Sequence, residues 1–192
     1  MEDFSMHVLD VVENSLNAGA SRIQIWLQED KASDTLTLEI IDNGSGMEED
    51  LLRKVTSPFA TTRTTRKIGM GLSFLAQTAE TAGGEFQIKS DPGIGTRVTA
   101  TLRLSHIDRM PIGNICETIM TLVICHPDVH FYISYEKDGG DFCIDTNLIR
   151  EQLEGINPSH PEVIGALRSM IRKGLDQIGV ATPAKLEVSN KS

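Results

Sequence analysis

Asp42-Asn43-Gly44-Ser45-Gly46-Met47 follows a stretch in which Leu36, Leu38 and Ile40 alternate with polar residues. Period-two alternation marks a half-buried strand, and Asp-Asn-Gly is strong turn chemistry. A carboxylate therefore stands at the end of a strand, and Gly44 and Gly46 let the backbone behind it approach another group closely. An ionised carboxylate only accepts hydrogen bonds. It suits the exocyclic amino group of adenine and rejects the carbonyl of guanine, while Met47 offers a soft apolar contact. A plain turn after a strand is the competing reading of the same six residues.

Upstream, Ile23, Ile25 and Leu27 alternate as well, and the polar turn from Glu29 to Asp34 joins the two runs as an antiparallel pair. From Met6 to about Asn17, Val8, Leu9, Val12 and Leu16 fall at helical spacing, and Gly19 is a natural stop. On that helix Asp10, Glu13, Asn14 and Asn17 share a side opposite a Leu9, Val12, Leu16 stripe. Magnesium takes oxygen ligands and keeps several waters, so the amide oxygen of Asn14 plus phosphate oxygens would suffice. Asp10, one turn earlier, is placed to orient or deprotonate an attacking water. A solvated polar face explains the helix alone equally well.

Downstream, Glu48 to Val55 reads as a short helix, Ser57 to Lys67 as a polar loop, and Gly71 to Ala82 as a helix closed by Gly83-Gly84. The loop collects Thr61, Thr62, Arg63 and Lys67 just before Gly69-Met70-Gly71-Leu72. Hydroxyls and cations beside a glycine hinge and a helix start describe a mobile lid over a phosphate chain; an ordinary surface loop is the alternative. No GxxxxGK[ST] occurs, so this is not a P-loop. Phe86 to Lys89 and Arg97 to Leu104 make strands around the turn Asp91-Pro-Gly-Ile-Gly95, which Thr96 follows. Jointly these stretches specify a pocket for a magnesium nucleotide.

After Ser105 the pattern changes to a helix over 112–124, a hairpin around Asp138-Gly139-Gly140, and helices over 148–153 and 161–178. The expected organisation is a nucleotide-binding domain over 4–104, a small α-β-β-α extension over 105–181 and a tail over 182–192. The 192 residues are 40% hydrophobic and 23% charged, as in a folded soluble chain. No run approaches the ~18 apolar residues of a membrane helix, and the start lacks signal-peptide character, so cytoplasm is the expected location. A net charge of -9 without a basic cluster argues against a nucleic-acid surface. Cys116, Cys125 and Cys143 fit no metal spacing and read as buried thiols.

These residues resemble the ATP-binding domain shared by DNA gyrase, heat-shock chaperones, sensor histidine kinases and MutL proteins, the GHKL or Bergerat group. Glu13-Asn14-Ser-Leu-Asn-Ala-Gly-Ala-Ser looks most like the MutL form, whereas Pro58-Phe59-Ala-Thr-Thr-Arg, Gly69-Met-Gly71-Leu72 and Gly95-Thr96 look more like the histidine-kinase form. The resemblance implies a two-layer α/β sandwich with ATP between helices and lid. It implies Asn14 as magnesium ligand, Asp42 as adenine-binding aspartate, and Thr96 as a hydroxyl near the adenine. Where gyrase, chaperone and MutL types carry a glutamate base, this chain has Asp10, shorter by a methylene, which separates binding from hydrolysis. A stand-alone ATPase, a kinase acting on a protein partner, a non-catalytic ATP switch and, behind these, a MutL-like repair component remain open, as does a homodimer.

Overall fold

The computed structural model describes residues 3–56, 71–153 and 160–181. Helix α1 (Phe4–Asn17) begins where the Asp3 carboxylate accepts from the Met6 N–H at 3.3 Å, and it ends before Gly19, whose φ of +75° suits glycine. Strands β1 (Arg22–Asp30) and β2 (Thr35–Asp42) follow, then helices α2 (Glu49–Thr56) and α3 (Gly71–Thr81). Strands β3 (Phe86–Asp91) and β4 (Gly95–Arg103), helix α4 (Ile115–Cys125), strands β5 (His130–Lys137) and β6 (Gly140–Asp145), and helices α5 (Thr146–Gln152) and α6 (Pro161–Gln177) complete the order.

The strands form one six-stranded sheet in the order β3-β4-β2-β1-β5-β6. All neighbours are antiparallel except β1 and β5, which run parallel with Ile23 opposite Phe131 and Leu27 opposite Tyr135. A parallel pair needs a crossover, and α4 lies in it. The segment after residue 105 thus adds β5 and β6 to the strand that pairs with β2. Ile23, Ile25, Leu27, Leu36, Leu38, Ile40, Val98, Ala100 and Leu102 all point to one face, where α1, α3, α4 and α6 bury them. This is the mixed two-layer α/β sandwich that the family resemblance implied, with the other face of the sheet carrying Trp26 and Tyr132, their rings 5.1 Å apart.

Two details differ from the sequence reading. The buried row of α1 is Phe4, Val8, Val11, Val12 and Ser15, whereas Leu9 and Leu16 are only partly buried. Residues 8, 11, 12 and 15 are the truer helical stripe, so the core face is rotated toward Val11. Helix α4 starts at Ile115 rather than Ile112, because Gly113 has φ +82° and the Asn114 side chain caps the helix by accepting from Glu117 N–H at 3.2 Å. A Cβ on Gly113 would lie 2.3 Å from the Asp3 carboxylate. That close approach, with Phe4 N–H to Pro111 O and Ser5 N–H to Ile112 O both at 2.9 Å, ties the start of α1 to the chain entering α4.

Candidate nucleotide site

A cleft of about 180 Å³ opens where α1 passes over the ends of β2 and β4. Helix α1 contributes Val11, Asn14, Ser15 and Asn17, and Ala18 follows them. The turn after β2 contributes Asp42, Ser45, Gly46 and Met47; Leu51, Leu72, Thr96 and Val98 close the apolar side. Six of the site residues proposed from sequence therefore meet here: Asn14, Asp42, Gly46, Met47, Leu72 and Thr96.

Asp42 is fixed by three donors. Its Oδ1 accepts from the backbone N–H of Gly44 at 2.9 Å and of Thr96 at 3.2 Å, and its Oδ2 from the Ser15 hydroxyl at 2.6 Å. No cation is among these partners. A carboxylate has about four lone-pair sites, so one acceptor position on Oδ2 is left on a group that lines the cleft. Behind it, the Thr96 hydroxyl and Ser90 Oγ are 2.8 Å apart, and Ser90 Oγ accepts from Met47 N–H at 2.9 Å. The chain of bonds links β2, β3, β4 and the glycine turn into one rigid wall.

The glycines have sharper reasons than closeness to a base. A Cβ on Gly46, whose φ is +64°, would sit 2.0 Å from the Asp91 carbonyl oxygen, and one on Gly95, at φ +136°, 2.0 Å from the Asp42 carbonyl oxygen. The two loops interlock there, with Gly93 N–H to Ser45 O at 2.7 Å. Gly44 is buried against Ala18 and the Asp42 carboxylate and does not line the cleft. Asn43 turns away: its side-chain oxygen accepts from Ser21 and Arg22 N–H at 3.0 and 2.8 Å, anchoring the turn to β1.

On α1, Asn14 Nδ2 donates to the Asp10 carbonyl at 3.0 Å. Its Oδ1 has no hydrogen bond among the described residues, so the oxygen is available for a hard cation. Asp10 is exposed and outside the cleft lining, packed against the first residue of α3: a Cβ on Gly71 would meet the Asp10 Cβ at 2.5 Å. Leu72, next along, is buried in the cleft wall. Thr61, Thr62, Arg63, Lys67 and Gly69 lie outside the described residues.

Sequence reasoning had not singled out Val11, Ser15, Leu51, Val98 or Ser90. The strand period that puts Thr96 on the helix face puts Val98 there too, and the corrected stripe of α1 would have placed Val11 and Ser15 inward. Nothing in the local sequence marks Ser90. Among the described residues no group of His, Cys, Asp or Glu converges on a metal centre. Cys116 is buried, and burial raises its thiol pKa, but Cys125 and Cys143 are exposed, contrary to the expectation of three buried thiols. No helix of the described residues is long and apolar enough to cross a membrane.

A profile of the family described as histidine kinase-, DNA gyrase B- and HSP90-like ATPase matches residues 3–106. The sensor protein kinase FleS of Pseudomonas aeruginosa is 36% identical over 110 residues, which cover 57% of this chain and 27% of FleS. The signal transduction histidine-protein kinase AtoS of Escherichia coli is 30% identical over 111 residues, 56% of this chain and 17% of AtoS. The chain thus spans between about a sixth and a quarter of these relatives. Among solved structures, the Aquifex aeolicus MutL ATPase domain complexed with ADP aligns at 15% identity and a TM-score of 0.46, over 80% of this chain and 68% of that one.

Proposed function

Because this chain belongs to the histidine kinase-, DNA gyrase B- and HSP90-like ATPase family, we propose that it binds magnesium ATP in the cleft over Asp42 and delivers the terminal phosphate to water or to a protein partner. The observation that carries the reading is the Asp42 carboxylate, held by Ser15, Gly44 and Thr96 with one acceptor position left at the cleft. That position matches an N–H of the adenine amino group and repels the guanine carbonyl. Val11, Met47, Leu72 and Val98 supply apolar contacts for a flat ring.

Asn14 would hold the magnesium ion through Oδ1, since Nδ2 is committed to the helix backbone. The ion, when bound, neutralises phosphate charge. The lid residues Thr61, Thr62, Arg63, Lys67 and Gly69 are proposed to contact the phosphates together with the N–H groups at the start of α3, an eleven-residue helix. Asp10 is the candidate base or water-orienting group. Its contact with Gly71, outside the cleft lining, favours a second reading in which ATP acts as a switch without rapid turnover.

Competition titration with ATP and GTP in magnesium tests the binding claim. ATP is expected to displace a bound adenine probe at much lower concentration than GTP; equal competition would overturn the adenine assignment. Terminally labelled ATP, incubated with the protein alone and with cell extract, separates released phosphate, a labelled protein and neither. Asp10→Asn is expected to keep ATP affinity and slow any phosphate release; release at the parent rate would remove Asp10 as the base.

A further inference from the structure

The sheet face opposite the helices carries a second surface, distant in role from the nucleotide cleft. Odd and even positions alternate across the sheet, so the strands that send Ile25 and Ile133 to the core send Trp26, Gln28, Tyr132 and Glu136 to this other face. Trp26 and Tyr132 are neither fully buried nor covered, and their rings lie 5.1 Å apart at a 48° tilt. They form the apolar floor of an open groove running from the middle of the sheet to the β5–β6 hairpin. Part-exposed tryptophan and tyrosine on an otherwise polar face are the residue types that anchor protein interfaces.

The charges around that floor are one-sided. Its two lysines are both occupied, Lys31 by Asp138 at 2.6 Å and Lys137 by Glu29 at 3.4 Å. Asp30, whose carboxyl is held below its usual range by hydrogen bonds from Ser33 and the Ala32 N–H, stays anionic at neutral pH. Glu136 accepts only an amide hydrogen bond from Gln28 at 3.2 Å, and Asp141 lies beside it on β6. Neither has an ion-pair partner among the described residues. On the other half of the face Lys89 and Arg97 project from β3 and β4, and Arg97 is paired with Glu39 at 2.7 Å.

We propose that the Trp26–Tyr132 floor with Glu136 and Asp141 is a docking surface for an arginine- or lysine-rich segment of a partner protein. A cation placed over these rings gains from the ring quadrupoles as well as from the carboxylates, and arginine spreads flat on an aromatic face while donating to a neighbouring carboxylate. The charge complementarity selects this occupant over a second copy of the chain, whose own groove and net charge of -9 would repel it. The surface lies on the side of the sheet away from α1, so a partner seated here leaves the nucleotide cleft open.

Trp26 is the chain's single tryptophan, so its emission reports this face directly. The full chain is titrated with a capped hexa-arginine peptide at physiological salt. A saturable change in Trp26 emission is expected, weakened at least tenfold in a Glu136→Lys, Asp141→Lys double variant. A Glu80→Lys, Glu162→Lys variant, with the same charge change on α3 and α6, is expected to bind as the parent does. Unchanged emission, equal weakening in both double variants, or equally tight binding of spermine would overturn the proposal, as would a concentration-dependent Trp26 shift without peptide, which would mean self-association. ATP binding retained in each variant shows that it is folded.

Discussion

Asp42 and Glu29 stand at opposite ends of the same central strand pair, Asp42 opposite Ile23 and Glu29 opposite Leu36, and they have been given different surroundings. Glu29 is 12% exposed and takes a short hydrogen bond from the Tyr135 hydroxyl and the ammonium of Lys137 at 3.4 Å. Among the described residues Asp42 takes only neutral donors, and it opens onto a cleft. A carboxylate satisfied by a cation and a buried phenol is finished chemistry that holds β1 to β5. One satisfied by a hydroxyl and two amides keeps its charge and a free acceptor position, which is what a ligand needs. The sheet thus has a locked end and a receptive end.

The largest expected effect is at the locked end. Glu29→Ala leaves the Tyr135 hydroxyl and Lys137 without their acceptor inside the protein, which costs about 2–4 kcal/mol of stability. Denaturant titration should show a lowered midpoint, and ATP affinity should stay at the parent value. Asp42→Asn is expected to do the reverse. ATP affinity falls by about 1–3 kcal/mol, roughly 5- to 150-fold, with a smaller loss of stability because the amide oxygen can still accept from Gly44 and Thr96. If Asp42→Asn unfolds the protein as readily as Glu29→Ala and spares ATP binding, the division between the two ends is wrong.

Tyr135 sharpens the contrast through pH. Burial, and then the hydrogen bond and negative charge of Glu29, raise its phenol pKa far above the ordinary value of about 10. In the unfolded chain the phenol ionises near that ordinary value, while in the folded chain it keeps its proton, so above about pH 10 the folded state binds more protons and stability falls with pH. The contribution is complete below pH 10 and drains away as pH rises toward the folded pKa, by about 1.4 kcal/mol per pH unit. Tyr135→Phe should remove that part of the alkaline slope. A parent and a variant with identical slopes between pH 10 and 11 would show that the phenol is not held neutral by the fold.

Much of this was legible in the sequence, for physical reasons. Alternation in 22–27 and 36–40 exposes strand faces, and Asp42 followed by glycines marks a turn that must approach something closely. What the alternation does not carry is partner and register. That β5 lies parallel to β1, so that Tyr135 meets a glutamate 106 residues away, depends on the α4 crossover and on no local pattern. The helix start at 112 was misread because Ile112 fits the apolar period while Gly113 next to it takes a left-handed φ and packs against Asp3, neither of which the period shows. Gly46 was legible as special, but its stated partner changed from a base to the neighbouring backbone.

Ser15 gives the smallest and most discriminating test of the receptive end. It is 4% exposed, and its hydroxyl reaches Asp42 Oδ2 at 2.6 Å in preference to the Val11 carbonyl at 3.3 Å. Without that hydroxyl, Oδ1 would still be held by two backbone N–H groups, but Oδ2, the oxygen with the spare acceptor position, would lose its only donor among the described residues. Ser15→Ala removes a donor and leaves no unsatisfied group of its own, so the fold should lose little. The carboxylate is then freer to turn, and the ATP contact should weaken by about 1 kcal/mol, roughly fivefold. Titration of ATP into Ser15→Ala and Asp42→Asn, singly and together, measures whether the two act as one unit. The combined variant should bind no worse than Asp42→Asn alone, because Ser15 works through the carboxylate that Asn has already replaced. Additive losses would mean that Ser15 touches the nucleotide by itself, and an unchanged affinity in Ser15→Ala would mean that two amides already hold Asp42 as firmly as Tyr135 and Lys137 hold Glu29.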